Sequence, residues 1–361
     1  MRRRKTMAGM YAITRIFDWF SSLFANAPFV GVDLASLSAR VYLQEKGIVV
    51  REKTYAVRNQ KSSTFIAFGN EAYDMVGKTP PDLSVFTPID RGRVSDFDGL
   101  VYFLRHVLDR AFAPYPQFSP NAFNMIISVP IGLTEVEEMA LVEVGKKVGG
   151  RNVLIVETPL AAGFGLRLPI MENMGNCIVD IGGGTTEISV LSLGGIVVSR
   201  VLKIGGIDFN EAIINYLRMR YGILIGNRSA EEIKLSLGSV LENQDFSLDI
   251  SGRSIETGMP KTVKVKNHLL YEPLYPYFGQ IQDAIREIIE ETPPELITDI
   301  TKKGIILSGM SAKFIDLAKY LSRDLGMSVV LSDDPADSVV KGLGWLIEHP
   351  LIMEKVVIKF S

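Results

Sequence analysis

The segment 177–188 contains the residue types of a phosphate-binding turn. A short apolar run ends at Asp180, three glycines follow at 182–184, and Thr185 and Thr186 precede a second apolar run. Glycine lets the backbone approach a ligand closely, and the amide groups that such a turn exposes can bind an anion. Because a strand rather than a helix follows the glycines, the pattern predicts a phosphate-binding hairpin and not a P-loop. The alternative is a tight hairpin without a ligand.

A second segment, which begins at Phe29, repeats the same order of strand, aspartate, turn and strand around Asp33. We interpret this as an internal repeat. Two similar α/β domains, each with one such hairpin, would enclose a phosphate chain in the cleft between them. The carboxylates of Asp33 and Asp180 would then hold a hydrated Mg²⁺ ion.

Composition narrows the function classes. A chain of 361 residues with a formal charge of −2 predicts at least two domains and gives no basic field for nucleic acid. The single cysteine, Cys177, excludes a disulfide framework and a cysteine-rich metal site, and it fits a reducing cytoplasm. The three histidines are too scattered to predict a metal site.

Residues 1–27 predict a basic amphipathic helix. A cluster of arginine and lysine at residues 2–5 precedes apolar and aromatic residues that recur at helical spacing between Met10 and Phe24. Arg15 and Asp18 make the run too short and too polar to span a bilayer. We expect it to lie in the membrane interface; the alternative is a helix docked on the protein's own body.

The remaining chain alternates strands and helices, which predicts an α/β fold. Strands are predicted at 124–129 and 153–156, and a capping box at Thr134 predicts a helix over 134–148. A further helix should begin at Pro159.

Residues 206–270 differ, because predicted helices at 208–221 and 229–240 are followed by polar strands. This pattern is typical of an outer subdomain. Aromatic residues among prolines at 112–123 predict an exposed loop, with membrane contact and ordinary packing as the two alternatives.

The chain resembles the MreB family of bacterial actin homologues over nearly its whole length after residue 27. The run D-I-G-G-G-T-T-E at 180–187 matches the family's second phosphate loop. Further matching stretches lie at 69–80, 129–137, 193–197, 225–234 and 291–296. The resemblance implies the actin-like ATPase fold, with two duplicated RNase H-like domains and inserted subdomains around an ATP cleft.

The same resemblance implies a function and a set of partners. Members bind ATP with Mg²⁺ and polymerise into filaments on the cytoplasmic face of the cell membrane, where they help to determine cell shape. The expected partners are therefore further copies of the chain, the membrane and proteins of the cell-wall machinery.

The resemblance also divides the chain into subdomains around the cleft. Subdomain IA would comprise 28–56, 90–172 and 342–361, and subdomain IB would comprise 57–89. Subdomain IIA would comprise 173–207 and 270–341, and subdomain IIB would comprise 208–269.

The first phosphate loop departs from the family pattern D-L-G-T-A-N-T. Ala35 replaces a glycine, so a positive φ there would cost about 1–2 kcal/mol. Ser36 keeps a hydroxyl beside the turn, Leu37 is a poor neighbour for phosphate, and Ser38 follows. We expect a weakened nucleotide contact at this loop.

The catalytic position departs more sharply. The family positions the attacking water with the second glutamate of I-E-E-P-M-A-A, and this chain has Thr158 there. A threonine hydroxyl can hold a water molecule but cannot act as a general base near neutral pH. Glu157 should face another direction along the strand and is a weak substitute. Hydrolysis of ATP is expected to be slow or absent.

On the predicted adenosine side of the cleft, one segment departs from the family pattern and two others keep it. The family has glycines after Gly309, whereas this chain has Met310 and Ser311, followed by Ala312, which should crowd the ring and ribose.

By contrast, the glycine pair Gly205 and Gly206 is kept, although its context is closer to the chaperone ATPases. The helical elements Glu231, Glu232 and Lys234 are also kept.

These observations favour a membrane-associated filament protein that binds ATP and hydrolyses it poorly, with residual ATPase activity at most. The alternative is a pseudo-actin scaffold that acts without nucleotide. A competent ATPase of the chaperone type is less favoured, because no segment in this sequence predicts a substrate-binding domain.

Overall fold

The computed structural model describes residues 27–115, 118, 123–237, 246–314 and 317–358. Strands and helices alternate through both halves of the chain, as the sequence predicts. The predicted membrane helix at 1–27 lies outside the described residues except for Ala27. No helix of the described part is long and apolar enough to cross a membrane.

The first half combines buried strands with four helices of the described residues. In chain order its elements are β1 (Phe29–Leu34), β2 (Ser38–Leu43), β3 (Gly47–Lys53), β4 (Ala56–Asn59), β5 (Phe65–Phe68), α1 (Gly69–Asp74), β6 (Leu83–Phe86), β7 (Ile89–Asp90), β8 (Arg93–Val94), α2 (Phe97–Phe112), β9 (Phe123–Val129), α3 (Glu135–Lys147), β10 (Gly150–Glu157) and α4 (Thr158–Gly165).

The second half repeats the hairpin and then adds more helices. Its elements are β11 (Asn176–Ile181), β12 (Thr186–Ser192), β13 (Gly195–Leu202), α5 (Gly206–Tyr221), β14 (Ile223–Leu224), α6 (Asn227–Leu237), β15 (Ser247–Ser254), β16 (Pro260–Lys266), α7 (Tyr271–Glu291), α8 (Pro294–Lys303), β17 (Ile305–Ser308), α9 (Leu317–Leu325), β18 (Val329–Leu331), α10 (Ser338–Glu348) and α11 (Pro350–Val356).

Each half forms a five-stranded sheet, with strand orders β10-β9-β1-β2-β3 and β13-β12-β11-β17-β18. The aspartate-bearing strands β1 and β11 occupy the centre of each sheet. Each pairs antiparallel with the next strand of its hairpin and parallel with a later strand, β9 or β17. Both central strands are buried along their whole length, which explains their apolar sequences. The predicted internal repeat is confirmed.

Two three-stranded sheets, β5-β4-β6 and β14-β15-β16, lie outside the main sheets. Strands β15 and β16 carry many exposed polar side chains, as expected for an outer subdomain. The subdomain limits themselves stay a prediction. One of them, between residues 341 and 342, falls inside α10.

Helices α4 and α10 pack against each other between the two sheets, in a core that includes Ile126 of one sheet and Ile178 of the other. An added Cβ on Gly342 would overlap the Ala161 carbonyl, and one on Gly165 would overlap the Ser338 carbonyl. The backbones of the two helices are therefore in direct contact where the helices cross. The crossing, which we call the α4–α10 crossing, lies beside the cleft because Thr158 begins α4.

The expectation of exposed aromatic side chains at 112–123 is wrong where the structure describes them. Helix α2 continues through Phe112, and Phe112, Phe118 and Phe123 are buried in the first domain's core. The Phe112 and Phe118 rings stack with centroids 5.8 Å apart. Burial of these large rings outweighs the turn signals of the neighbouring prolines. Residues 116, 117 and 119–122 lie outside the described part.

Helix limits differ slightly from the sequence-based expectation. Helix α5 begins at Gly206 rather than residue 208, because the Asp208 carboxylate accepts from the Gly205 amide and closes the first turn. Helix α6 is described over Asn227–Leu237, and the last three residues of its predicted range, 238–240, lie outside the described residues.

Candidate nucleotide site

The two predicted hairpins turn in the same way. In the first, the Ala35 amide donates to the Ser38 carbonyl at 3.1 Å; in the second, the Gly182 amide donates to the Thr185 carbonyl at 2.8 Å. Ala35 has no positive φ, so the strain expected from replacing glycine there does not arise. The two turns face each other across the cleft between the domains.

Each turn leaves two backbone amides free. No acceptor for the amides of Ser36 and Leu37, or for those of Gly183 and Gly184, is found among the described residues. Buried amides normally have partners, and successive free amides in a turn form an anion site. Four donors from two domains therefore converge where a phosphate chain could accept hydrogen bonds from both.

The hairpins lie in direct contact. An added Cβ on Gly183 would lie 2.7 Å from Leu37 Cγ, and one on Gly184 would lie 2.9 Å from Ser36 Oγ. The Ser36 hydroxyl also accepts from the Gly92 amide at 3.3 Å. The close approach explains why small residues are needed in the second turn.

Two cavities lie at the cleft. One, of ≈ 80 Å³, lies between the hairpins and is lined by residues of both turns together with Asp33, Asp180 and Thr185. The other, of ≈ 260 Å³, is lined by Leu37 and by residues of the outer subdomains, including Tyr73 and Glu231. Ser36 and Leu37, which are neighbours in the first turn, thus line different cavities.

Asp180 and Asp33 are both buried but differ in their contacts. The Asp180 Oδ2 atom has no hydrogen-bond partner in the described residues. Burial raises the pKa of Asp180 to about 6. Asp33 accepts from Ser128 Oγ at 3.2 Å and from Arg40 Nη1 at 3.1 Å. Burial raises the pKa of Asp33, and the Arg40 guanidinium opposes that effect. The orphan oxygen fits a hydrated Mg²⁺ at Asp180, whereas the Arg40 ion pair does not fit a metal shared with Asp33.

Arg40 was not predicted as a site residue. Its guanidinium is buried, pairs with Asp33, and lies 2.9 Å from Asp337 Oδ1 through Nε. The hairpin register places it directly opposite Asp33. Counting outward from the turn Ala35–Ser38 would have identified it.

Glu187 was also missed, and it occupies the equivalent position in the second hairpin, directly opposite Asp180. Its carboxylate accepts from the Ile131 amide of the first domain at 3.0 Å. Burial raises the pKa of Glu187 from 4.5 to about 8, so it is protonated at neutral pH. It lines the same cavity as Thr158.

The structure separates the two candidate catalytic residues. Thr158 is the first residue of α4 and lines the cavity between the hairpins. Glu157 is the last residue of β10, is half-buried and does not line that cavity. Burial raises its pKa. The geometry thus brings the threonine, and not the glutamate, to the site.

The segment after β17 supports the second hairpin. Gly309 has φ +87, and an added Cβ there would overlap the Ile181 carbonyl. The buried Ser311 hydroxyl donates to the Gly182 carbonyl at 2.9 Å, and Ala312 is buried beside it. Met310 is 39% exposed and lines the cavity. Only Met310 of this segment therefore offers a side chain that a bound nucleotide would have to displace.

The glycine pair supports the hairpin from the other side. The Gly206 amide donates to the Gly182 carbonyl at 3.1 Å. An added Cβ on Gly205 would lie 2.8 Å from the backbone of Gly183 and Gly184. Thr186, predicted as a ligand, is instead buried and donates to the Ile204 carbonyl at 2.8 Å.

Of the three residues predicted on α6, Glu231 lines the larger cavity, and Lys234 is buried with Nζ 3.3 Å from the Gly206 carbonyl oxygen. Lys234 Nζ lies 2.6 Å from Glu231 Oε2, and Asn210 donates to the same carboxylate at 2.8 Å. Burial lowers the pKa of Lys234. Glu232 instead pairs with Arg228 on the surface, at 3.5 Å.

Two arginines link the domains across the cleft. Arg91, in the turn between β7 and β8, donates to the Gly184 carbonyl at 2.7 Å and to Asp208 at 2.8 Å. Farther out, Arg228 of α6 pairs with Asp74 of α1 at 2.9 Å. The side chains of Arg91 and Arg228 therefore bridge the two domains at two separate places across the cleft.

Comparison with known proteins identifies the family. A family model described as MreB/Mbl protein matches residues 27–355. The cell shape-determining protein MreB of Escherichia coli K12 is 34% identical over 334 residues, which cover 91% of this chain and 95% of that protein. Mbl of Bacillus subtilis 168 is 33% identical over 321 residues, covering 89% and 96%.

Solved structures of similar proteins have the same fold as this chain. MreB5 of Spiroplasma citri bound to ADP has a TM-score of 0.85 and 33% identity, covering 91% of this chain and 98% of that one. A MamK double helical filament, at 22% identity and a TM-score of 0.75, shows the same fold. With these matches and the duplicated sheets around a cleft, the chain has the actin-like fold and belongs to the MreB/Mbl family.

Proposed function

We propose that this chain is an MreB-like filament protein that holds ATP between its two hairpins, hydrolyses it slowly or not at all, and helps to determine cell shape. The observation that carries the proposal is the set of four free amides at Ser36, Leu37, Gly183 and Gly184, two from each domain. The MreB5 relative was solved with ADP and with AMPPNP, which supports a nucleotide as the ligand.

Slow hydrolysis follows from the residues at the site. Thr158 cannot accept a proton near neutral pH, and Glu157 does not line the cavity. Burial raises the pKa of the nearby Glu187 carboxyl to about 8, which favours its protonated form at neutral pH and makes it a poor base.

The nucleotide proposal is tested by displacement of a fluorescent ATP analogue with ATP. We expect saturable binding by the unmodified protein and at least about tenfold weaker binding by Gly183→Ala, because its Cβ would push against Leu37. Gly279→Ala is the matched control, since nothing lies within 4 Å of its added Cβ. Absence of saturable binding by the unmodified protein would refute the proposal.

Membrane association is assigned to residues 1–27, at the cytoplasmic face of the cell membrane. The buried rings of Phe112, Phe118 and Phe123 do not support contact through the 112–123 loop. Co-sedimentation with anionic vesicles should be lost when arginines 2–4 are replaced by glutamate in the full chain. Unchanged co-sedimentation of that variant would exclude the basic cluster as the anchor.

A nucleotide-independent scaffold is the second candidate, and one observation favours it. Arg91–Asp208, Arg228–Asp74 and the Leu37–Gly183 contact close the cleft with the protein's own groups. If this candidate is correct, filament sedimentation should be the same with ATP and after enzymatic removal of all nucleotide. A requirement for ATP would exclude it.

A further inference from the structure

Arg40 is the one cationic side chain among the described residues that line the cavity between the hairpins. The same cavity is lined by the carboxyl groups of Asp33, Asp180 and Glu187. Arg40 is 5% exposed. A guanidinium stays charged in every protein environment, so the lining of the cavity carries a permanent positive charge.

The position of this charge is fixed from two sides. Arg40 Nη1 donates to Asp33 and, at 3.1 Å, to Ser38 Oγ, while Nε lies 2.9 Å from Asp337. Asp337 is held in turn by Arg51 through Oδ2. Buried charges are stable when they are paired and hydrogen-bonded, and these pairs order the Arg40 side chain before any ligand binds.

Two features of Arg40 bear on a bound phosphate. It is paired with Asp33 Oδ2, and its guanidinium would repel a second cation placed beside that oxygen. Its Nη2 group has no acceptor among the described residues, and guanidinium N–H groups form strong, charge-assisted bonds with phosphate oxygens.

We propose that Arg40 takes the place of a metal contact at Asp33, so that binding of a nucleoside triphosphate does not require a divalent cation. This inference rests on the proposed nucleotide binding and adds how the charge of the bound phosphates is neutralised. Arg40 neutralises part of the phosphate charge through Nη2, while the four hairpin amides hold the oxygens.

The test compares the affinity for a fluorescent ATP analogue in excess Mg²⁺ and in EDTA. For the unmodified full chain, the two dissociation constants should agree within about threefold. In Arg40→Gln, which removes the charge and keeps a polar amide at this position, binding should become at least about tenfold weaker in EDTA. Thermal unfolding shows whether the variant is folded. If it is not folded, the two dissociation constants of the unmodified chain, in Mg²⁺ and in EDTA, decide the test.

Arg51→Gln is the matched control. It removes a second charge from the same Asp337, but Arg51 is largely exposed and does not line the cavity. Its binding should remain insensitive to Mg²⁺.

Binding by the unmodified chain that weakens about tenfold or more in EDTA would overturn the role of Arg40 and leave the proposed nucleotide binding intact. Folded Arg40→Gln that stays insensitive to Mg²⁺ would also overturn it. Absence of binding in both conditions would overturn this inference together with the proposed nucleotide binding.

Discussion

Replacement of Glu187 by glutamine should change how the stability of the protein depends on pH. The carboxyl is 4% exposed, and burial raises its pKa from 4.5 to about 8. The folded state therefore holds a proton that the unfolded chain has released above pH 4.5. Stability contributed by Glu187 is complete below about pH 4.5 and is lost as the pH rises to about 8.

The magnitude follows from that difference in pKa. One pKa unit corresponds to about 1.4 kcal/mol, so the penalty at pH 8 and above has an upper limit of roughly 5 kcal/mol. Glutamine cannot ionise, and its carbonyl oxygen can still accept from the Ile131 amide. Glu187→Gln should therefore differ least from the unmodified protein below about pH 4.5 and become increasingly more stable than it as the pH rises to about 8.

The assay is thermal unfolding, followed by circular dichroism, of both proteins from pH 5 to pH 9. We expect the difference in Tm to grow by several degrees across this range. Glu290→Gln, an exposed substitution on α7, is the control and should give a difference that does not vary with pH. A constant difference between Glu187→Gln and the unmodified protein would refute the reasoning.

Three further predictions concern the cleft. Thr158→Glu should raise phosphate release from ATP in single-turnover measurements, because it restores a group that can orient and deprotonate water; fast release by the unmodified protein would contradict this. Gly309→Ala should lower the free energy of unfolding by at least about 1–2 kcal/mol, since φ is +87 there; an unchanged urea midpoint would count against it. Arg91→Ala should speed amide hydrogen exchange in the second hairpin because it removes the bond to the Gly184 carbonyl. Arg93→Ala, which breaks a pair within the first domain, should not, and equal exchange in the two variants would be inconsistent with an interdomain link.

Much of the fold could be predicted from the sequence because its strongest patterns are local. The two strand–aspartate–turn–strand segments predicted the central hairpins of both sheets, and Asp33 and Asp180 lie where this repeat places them. The capping box at Thr134 is also present as predicted. In these places propensity and tertiary contacts favour the same structure.

The residues of the site were harder to predict where their role depends on strand pairing. Arg40 and Glu187 lie opposite Asp33 and Asp180 in the hairpins, but only the strand register shows this. The cost expected at Ala35 assumed a positive φ that its turn does not need. The aromatic residues at 112–123 were misjudged because their burial depends on a core built by distant strands.

The α4–α10 crossing has a mechanical consequence. Two backbones in contact at Gly165 and Gly342 leave no layer of side chains between the helices, so a side chain added at either glycine would force one helix to move against the other. Since Thr158 is the first residue of α4 and lines the cavity between the hairpins, such a movement of α4 would also displace a residue of the site.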